Sequence, residues 1–243
     1  MMQEEASALG VHLRALVEAP DGSTAQVVVD GPVGAADDAA AVRALVEGRS
    51  APASGGADPG AAGLQGVGRA DVLTFEHEHQ DSALLERLAA EGVSVQPGPR
   101  ALTLARDKLA MRRAMDSVGL PQPAWVEVGG DERAIAAGIE DFAAGHGWPM
   151  VLKTPRGGYD GKGVLVLDSP EEARERSAEW FEQLPSRTDF SALLAEEKVP
   201  FTRELSALVA RRESGEVRPW PVVETIQVNS ICDEVIAPAQ DLD

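Results

Sequence analysis

A chain of 243 residues with 44% hydrophobic content is long enough for two compact units, or one elaborate α/β unit, with a filled core. Its formal charge of −18 repels nucleic acid and anionic membrane, so neither is an expected partner, and an anionic ligand would need local basic groups. No run approaches the roughly 18 to 20 apolar residues of a membrane span, the start Met1-Met2-Gln3-Glu4-Glu5 has no signal-peptide character, and the lone Cys232 excludes an internal disulfide and a multi-cysteine zinc site, so a cytoplasmic protein is expected. The first hundred residues alternate apolar runs with helical patterns, as a βαβ layer does. Gln3 to Leu9 reads as a helix end closed by Gly10, Val11 to Val17 as a strand, Gln26 to Val29 as a second short apolar run, and Asp38 to Val46 as a helix ending at Gly48. Arg49 to Arg69, rich in Gly, Ala, Pro and Ser, reads as a mobile surface loop without function. Asp71 to Phe75 is expected to be a buried strand. Asp81 or Ser82 then caps a helix with Leu84, Leu85, Leu88 and Ala89 on one face, stopped by Gly92, and Val93 to Gln96 is the next strand before Pro97-Gly98-Pro99 breaks the chain.

Met111, Ala114, Met115 and Val118 recur at helical spacing, which predicts one helix over Asp107 to Val118, ended by Gly119, Pro121 and Pro123. Ala124 to Val128 reads as a strand and Glu132 to Ala144 as a helix with Ile135, Ile139 and Phe142 inward. Pro149 to Lys153 and Gly163 to Leu167 are strands on either side of a glycine-rich loop. Ser169-Pro170-Glu171-Glu172 is a capping box that opens a helix to about Phe181. Leu193 to Glu196, Glu204 to Arg211 and Val217 to Glu224 read as strands, the last two joined by the turn Ser214-Gly215-Glu216.

Two segments carry chemistry. In Val151-Leu152-Lys153-Thr154-Pro155-Arg156-Gly157-Gly158-Tyr159-Asp160-Gly161-Lys162-Gly163-Val164 a strand delivers a lysine, four glycines follow within the loop, and a second strand resumes at once. Glycines let backbone N–H groups approach phosphate oxygens while Lys and Arg neutralise charge, so the segment reads as a phosphate-covering flap; it is not a P-loop, because no Lys-Ser/Thr pair opens a helix after the glycines. Tyr159, the one tyrosine of the chain, stands beside Asp160 in its middle, where packing gives little reason for an aromatic. The cations are 18 Arg and only 4 Lys, and Lys108, Lys153 and Lys162 all fall in these and the flanking segments; a compact ammonium suits a single phosphate oxygen better than a planar fork does. In the second segment, Leu194 to Ser206, Glu196 and Glu204 lie eight residues apart around a strand crossover, which could offer backbone groups to an adenine and a carboxylate to ribose hydroxyls, although two solvated glutamates would look the same. Glu76 and Glu78 alternate with His77 and His79, so a strand would place the two types on opposite faces, a poor arrangement for one shared metal ion.

Lys153, then Gly157-Gly158-Tyr159-Asp160-Gly161-Lys162-Gly163, then Glu196-x-x-Val199-x-Phe201-x-x-Glu204-Leu205-Ser206 resembles the ATP-grasp superfamily, and the glycine string resembles its N5-carboxyaminoimidazole ribonucleotide synthase family. Asp71 to His79, Arg106-Asp107-Lys108, Pro219 to Glu224 and Ile236 to Ala239 are similar to further segments of that family, so the likeness covers nearly all of the chain outside Arg49 to Arg69. It implies an α/β (α+β) chain with a Rossmann-like parallel-sheet domain over 1–98 and an ATP-grasp region over 99–243, with 120–196 as its lid. By resemblance Lys108 and Lys153 contact ATP phosphates, Gly158, Tyr159, Asp160, Gly161, Lys162, Gly163 and Val164 form the flap, Glu196, Glu197, Lys198 and Val199 flank the adenine, and Glu204 holds the ribose. Tyr159 and Asp160 would face the imidazole ribonucleotide and the carboxylating intermediate as the catalytic pair, with Glu76 at the substrate crevice. Gln227 stands where many relatives have a nucleotide-contacting histidine, and its amide can still donate and accept.

The resemblance implies ATP-driven phosphorylation of bicarbonate to carboxyphosphate, which delivers CO2 to the exocyclic amine of 5-aminoimidazole ribonucleotide in purine biosynthesis, in a homodimer. The alternatives are another ATP-grasp ligase, such as a formate-dependent glycinamide ribonucleotide transformylase, or a nucleotide-binding module without catalysis. Relatives carry a first strand and glycine-rich turn before the segment matched by Met1 or Met2, and carboxylates for Mg2+ after the point matched by Asp243. The expectation is therefore a chain short at both ends, without metal ligands and inactive by itself.

Overall fold

The computed structural model describes residues 2–49, 68–78, 80–157, 163–183, 191–229 and 231–242, with backbone alone at 178–179 and 181–183. Contacts divide the chain into a unit Met1–Ala105 and a unit Arg106–Asp243.

Among the described residues of the first unit, four helices, α1 (Met2–Ala8), α2 (Ala39–Val46), α3 (Ser82–Ala90) and α4 (Pro99–Arg106), accompany three isolated parallel bridges, Arg14–Asp30, Val17–Val33 and Leu73–Val95. The Asp38 and Asp81 side chains each accept two backbone N–H bonds at the starts of α2 and α3, satisfying donors that a helix leaves orphaned. Gly92 adopts φ 82° just after α3, a left-handed position where a Cβ would clash with its own backbone. Val42, Val46, Leu73, Leu84, Leu85, Leu88, Val93, Val95 and Leu102 form the core. Three details differ from expectation. The strands read over Val11 to Val17, Asp71 to Phe75 and Val93 to Gln96 reduce to isolated bridges, two on the first and one joining the other two, because isolated parallel pairs gain little per residue and Val11 and Val72 stay exposed. Residues 26–29 belong to a turn, in which Val27 and Val28 donate to the Thr24 carbonyl, and pairing starts only at Asp30. Ala89 is exposed, one position outside the buried stripe.

The second unit begins at the boundary between α4 and α5 (Lys108–Ser117), where Asp107 interrupts the helical run and caps α5 by accepting from Ala110 N at 3.0 Å. A four-stranded antiparallel sheet follows, in the order β1 (Trp125–Gly129), β4 (Ala192–Glu197), β2 (Met150–Lys153), β3 (Val164–Leu167). Strand alternation sends Val128, Leu152, Leu165, Leu193 and Ala195 to one face, where α6 (Glu132–His146) and α7 (Pro170–Gln183) cover them with Ile135, Ile139, Phe142 and Ala173. The capping box at α7 is present, with Glu172 N donating to Ser169 Oγ at 3.2 Å, although the Glu172 carboxylate reaches Asp168 N at 2.8 Å instead of the cap residue. On the opposite face Ala192 and Leu194 pack with Leu109 of α5 and with Trp125. The chain then forms a hairpin, β6 (Val209–Arg211) with β7 (Val217–Pro219), and a sheet in the order β5 (Glu204–Ser206), β8 (Val223–Val228), β9 (Ile231–Ile236). The strands read over Glu204 to Arg211 and Val217 to Glu224 are thus each split in two.

Helix α6 lies close on β1 because Gly138 faces Val128: a Cβ at Gly138 would sit 2.8 Å from Val128 Cγ1. Gly138→Ala should gain about 1 kcal/mol of helix propensity. A stiff β-branched neighbour cannot yield cheaply, and overpacking costs about 1–3 kcal/mol. A net loss of about 1 kcal/mol, read as a lower urea midpoint, is the expected outcome.

Candidate functional site

Strand β2 ends on Lys153, and the loop that follows is closed at its base by Thr154 N donating to Gly163 O at 2.9 Å. The first turn of α5 meets the start of this loop. Lys108 N donates to Pro155 O at 2.9 Å, Lys108 Nζ to Gly157 O at 3.3 Å, and Arg156 Nε to Asp107 Oδ2 at 2.9 Å. One aspartate therefore both starts the helix and anchors the loop's arginine.

Beneath that junction lies Glu196, only 3% exposed. Glu196 pairs with Val151 across the sheet while Lys153 pairs with Leu194, so both side chains leave the same face, toward α5. Lys153 Nζ contacts Glu196 Oε1, and Arg112 Nη2, from the next turn of α5, donates to Glu196 Oε2 at 2.6 Å. Arg112 in turn reaches Gln122 Oε1 at 3.3 Å; Gln122 Nε2 donates to Arg112 O at 3.2 Å and to Asp116 Oδ1 at 2.5 Å, and Trp125 Nε1 donates to Asp116 Oδ2 at 3.1 Å.

The charge arrangement is informative. Lys153 and Arg112 share one carboxylate, Glu196, the Lys108 ammonium rests on Gly157 O, and Asp107 and Arg156 neutralise each other. Burial lowers the Lys108 pKa from the ordinary lysine value, the nearby Lys153 ammonium lowers it further, and Asp107 and Glu196 oppose the fall. Excess positive charge, partly buried in a chain of net charge −18, favours an anion there.

The other anticipated positions fall as follows. Glu197, Lys198 and Val199 continue directly from Glu196: Glu197 N donates to Ala124 O at 3.0 Å, Lys198 N to Pro149 O at 3.4 Å, and Val199 is exposed. Gly163 and Val164 resume the sheet at β3, whereas Gly158, Tyr159, Asp160, Gly161 and Lys162 lie outside the described residues. Glu204 pairs with Thr225, and Gln227 lies two residues further along β8, past a register shift between Ile226 and Gln227. No hydrogen bond or ion pair joins them to the lysine group among the described residues. Glu76 is exposed in the first unit. Arg112 had been overlooked, yet a signal existed: it follows Lys108 by four residues on a helix, which places the two on one face.

Mg2+ finds no ligand set among the described residues. No three His, Cys, Asp or Glu side chains converge, and both oxygens of the buried Glu196 are taken by cations.

A family model for the ATP-grasp domain matches residues 113–242. This chain belongs to the ATP-grasp family. Its fold is the ATP-grasp fold, with mixed helices and antiparallel sheets. An N5-carboxyaminoimidazole ribonucleotide synthase of Mycobacterium tuberculosis is 39% identical over 242 residues, covering 100% of this chain and 49% of that protein. One from Corynebacterium ammoniagenes is 37% identical over 243 residues, covering 100% and 51%. Among solved structures, an N5-carboxyaminoimidazole ribonucleotide synthetase in its ADP complex superimposes with a TM-score of 0.77 at 28% identity, covering 100% of this chain and 55% of that one. The Aspergillus clavatus enzyme with ADP and 5-aminoimidazole ribonucleotide gives 0.75 at 25% identity, covering 99% and 54%. This ATP-grasp chain thus spans about half the length of the curated relatives it matches. Among its described residues no helix is long and apolar enough to cross a membrane.

Proposed function

We propose that this chain is the nucleotide-binding portion of an N5-carboxyaminoimidazole ribonucleotide synthase. In this reading ATP phosphorylates bicarbonate to carboxyphosphate, CO2 passes to the exocyclic amine of 5-aminoimidazole ribonucleotide, and ADP and phosphate leave, as a step of purine biosynthesis in a cytoplasmic homodimer. The observation that carries it is the gathering of Lys108, held to the loop at Gly157 O, and Lys153, held to the buried Glu196, at the root of the glycine-rich loop. Two ammonium groups held that near each other are destabilising until an anion arrives, and a polyphosphate supplies the oxygens both require.

In this assignment Lys108 and Lys153 bind ATP phosphates, Gly158 to Val164 cover them, Glu196 to Val199 flank the adenine, Glu204 takes the ribose hydroxyls, and Gln227 contacts the nucleotide. Tyr159 and Asp160 act on the carboxylating intermediate, Glu76 belongs to the ribonucleotide crevice, and residues 1–98 form a Rossmann-like layer ahead of the ATP-grasp region. The likeness to N5-carboxyaminoimidazole ribonucleotide synthases supports the substrate. The test on a version of relatives' length is ADP formation with bicarbonate. Stimulation by 5-aminoimidazole ribonucleotide is expected, and stimulation by glycinamide ribonucleotide instead would overturn the assignment.

A pH prediction follows for the chain itself. Because the folded Lys108 pKa is depressed, the nucleotide-free fold binds fewer protons than the unfolded chain below the ordinary lysine range, so its stability rises with pH across that window. Phosphate needs the charged amine, so ADP affinity should fall as pH climbs toward about 10.4, before an ordinary lysine would titrate. Lys108→Arg should flatten that decline in a calorimetric titration. A decline that tracks unfolding would refute the account.

A further inference from the structure

We propose that Arg112 is a positioning residue that keeps the buried Glu196 carboxylate partnered when Lys153 turns from it to the phosphates of a bound nucleotide. The inference rests on the ATP-binding reading above. Glu196 has one cation on each oxygen, Lys153 on Oε1 and Arg112 on Oε2. The two cations differ in freedom. Lys153 is 27% exposed on a flexible four-carbon stem, whereas the Arg112 side chain is 10% exposed and its fork is braced through Gln122. Gln122 is itself held by Asp116, which also accepts from Trp125.

A buried ionised carboxylate stripped of its cation is strongly unfavourable, so with Lys153 as sole partner Glu196 would retain the ammonium against the pull of the phosphates. Arg112 removes that penalty. Lys153 can leave because the charge it leaves behind remains paired, and Arg112 cannot follow because its helix is fastened to the loop's start through Lys108 N and Pro155 O. Arg112 thus acts on the nucleotide only through Glu196 and Lys153.

The test is ADP affinity by calorimetry on the full chain, with a thermal melt of each variant. Arg112→Met should weaken ADP binding about tenfold or more, because Lys153 is then trapped on Glu196. Arg112→Lys, which restores the charge, should recover most of the loss. Removing the trap as well, in Arg112→Met with Glu196→Gln, should bring affinity back to within about threefold of Glu196→Gln alone. A merely structural arginine would not produce that recovery. If Arg112→Met does not fold, Arg112→Gln, which still offers a hydrogen-bond donor, takes its place in the same cycle. Binding by the single variant within about twofold of the parent, or a double variant no better than the single, overturns the proposal. Absence of ADP binding by the parent chain would instead bring down the ATP-binding reading, and this proposal with it.

Discussion

Lys153→Met is expected to weaken ADP and ATP binding by about 10- to 100-fold, the value of one charge-assisted hydrogen bond of about 1.5–3 kcal/mol to phosphate. Methionine keeps the apolar stem and the strand position while removing the ammonium. Arg112 still holds Glu196 at 2.6 Å, so the buried carboxylate does not lose its last partner and the fold should survive. Calorimetry beside a thermal melt reads both quantities. Unchanged affinity would mean that Lys153 serves Glu196 alone.

Leu152→Ala, one residue earlier, should do the reverse. Leu152 is fully buried, flanked across the sheet by Leu165 on β3 and Ala195 on β4. Truncating it removes transfer free energy and leaves a cavity, at a cost of about 3–5 kcal/mol. The melting midpoint should drop on the order of 10 °C, while the folded fraction binds ADP as before. Neighbouring residues with separated effects, one on affinity and one on stability, would show that the strand's two faces divide those tasks. A loss of affinity in Leu152→Ala at a temperature where it is fully folded would contradict the division.

The parts legible in the sequence are those with local causes. Ile135, Ile139 and Phe142 at helical spacing announce α6, and Ser169 with Glu172 announces α7, because caps and periodicity act within a few residues. Helix α4 was missed since Pro99 reads as a breaker, whereas it sits at the first helical position, where its missing N–H costs nothing. Strand β9 hides because Asp233 and Glu234 interrupt its apolar pattern and a register shift falls opposite them. At the site, Lys153 and Glu196 were visible as candidates, but their pairing was not. It depends on the register of β2 against β4, which are far apart in sequence, and no local pattern showed that Glu196 would be among the most buried charges of the described residues. Arg112 escaped for the same reason: its importance comes from what a distant strand puts beside it.

The rung between Thr154 and Gly163 joins the two ends of the glycine-rich segment, and the start of α5 holds its first residues at Pro155, Arg156 and Gly157. The loop's first residues therefore cannot shift without loosening the start of α5, because a single carboxylate serves both.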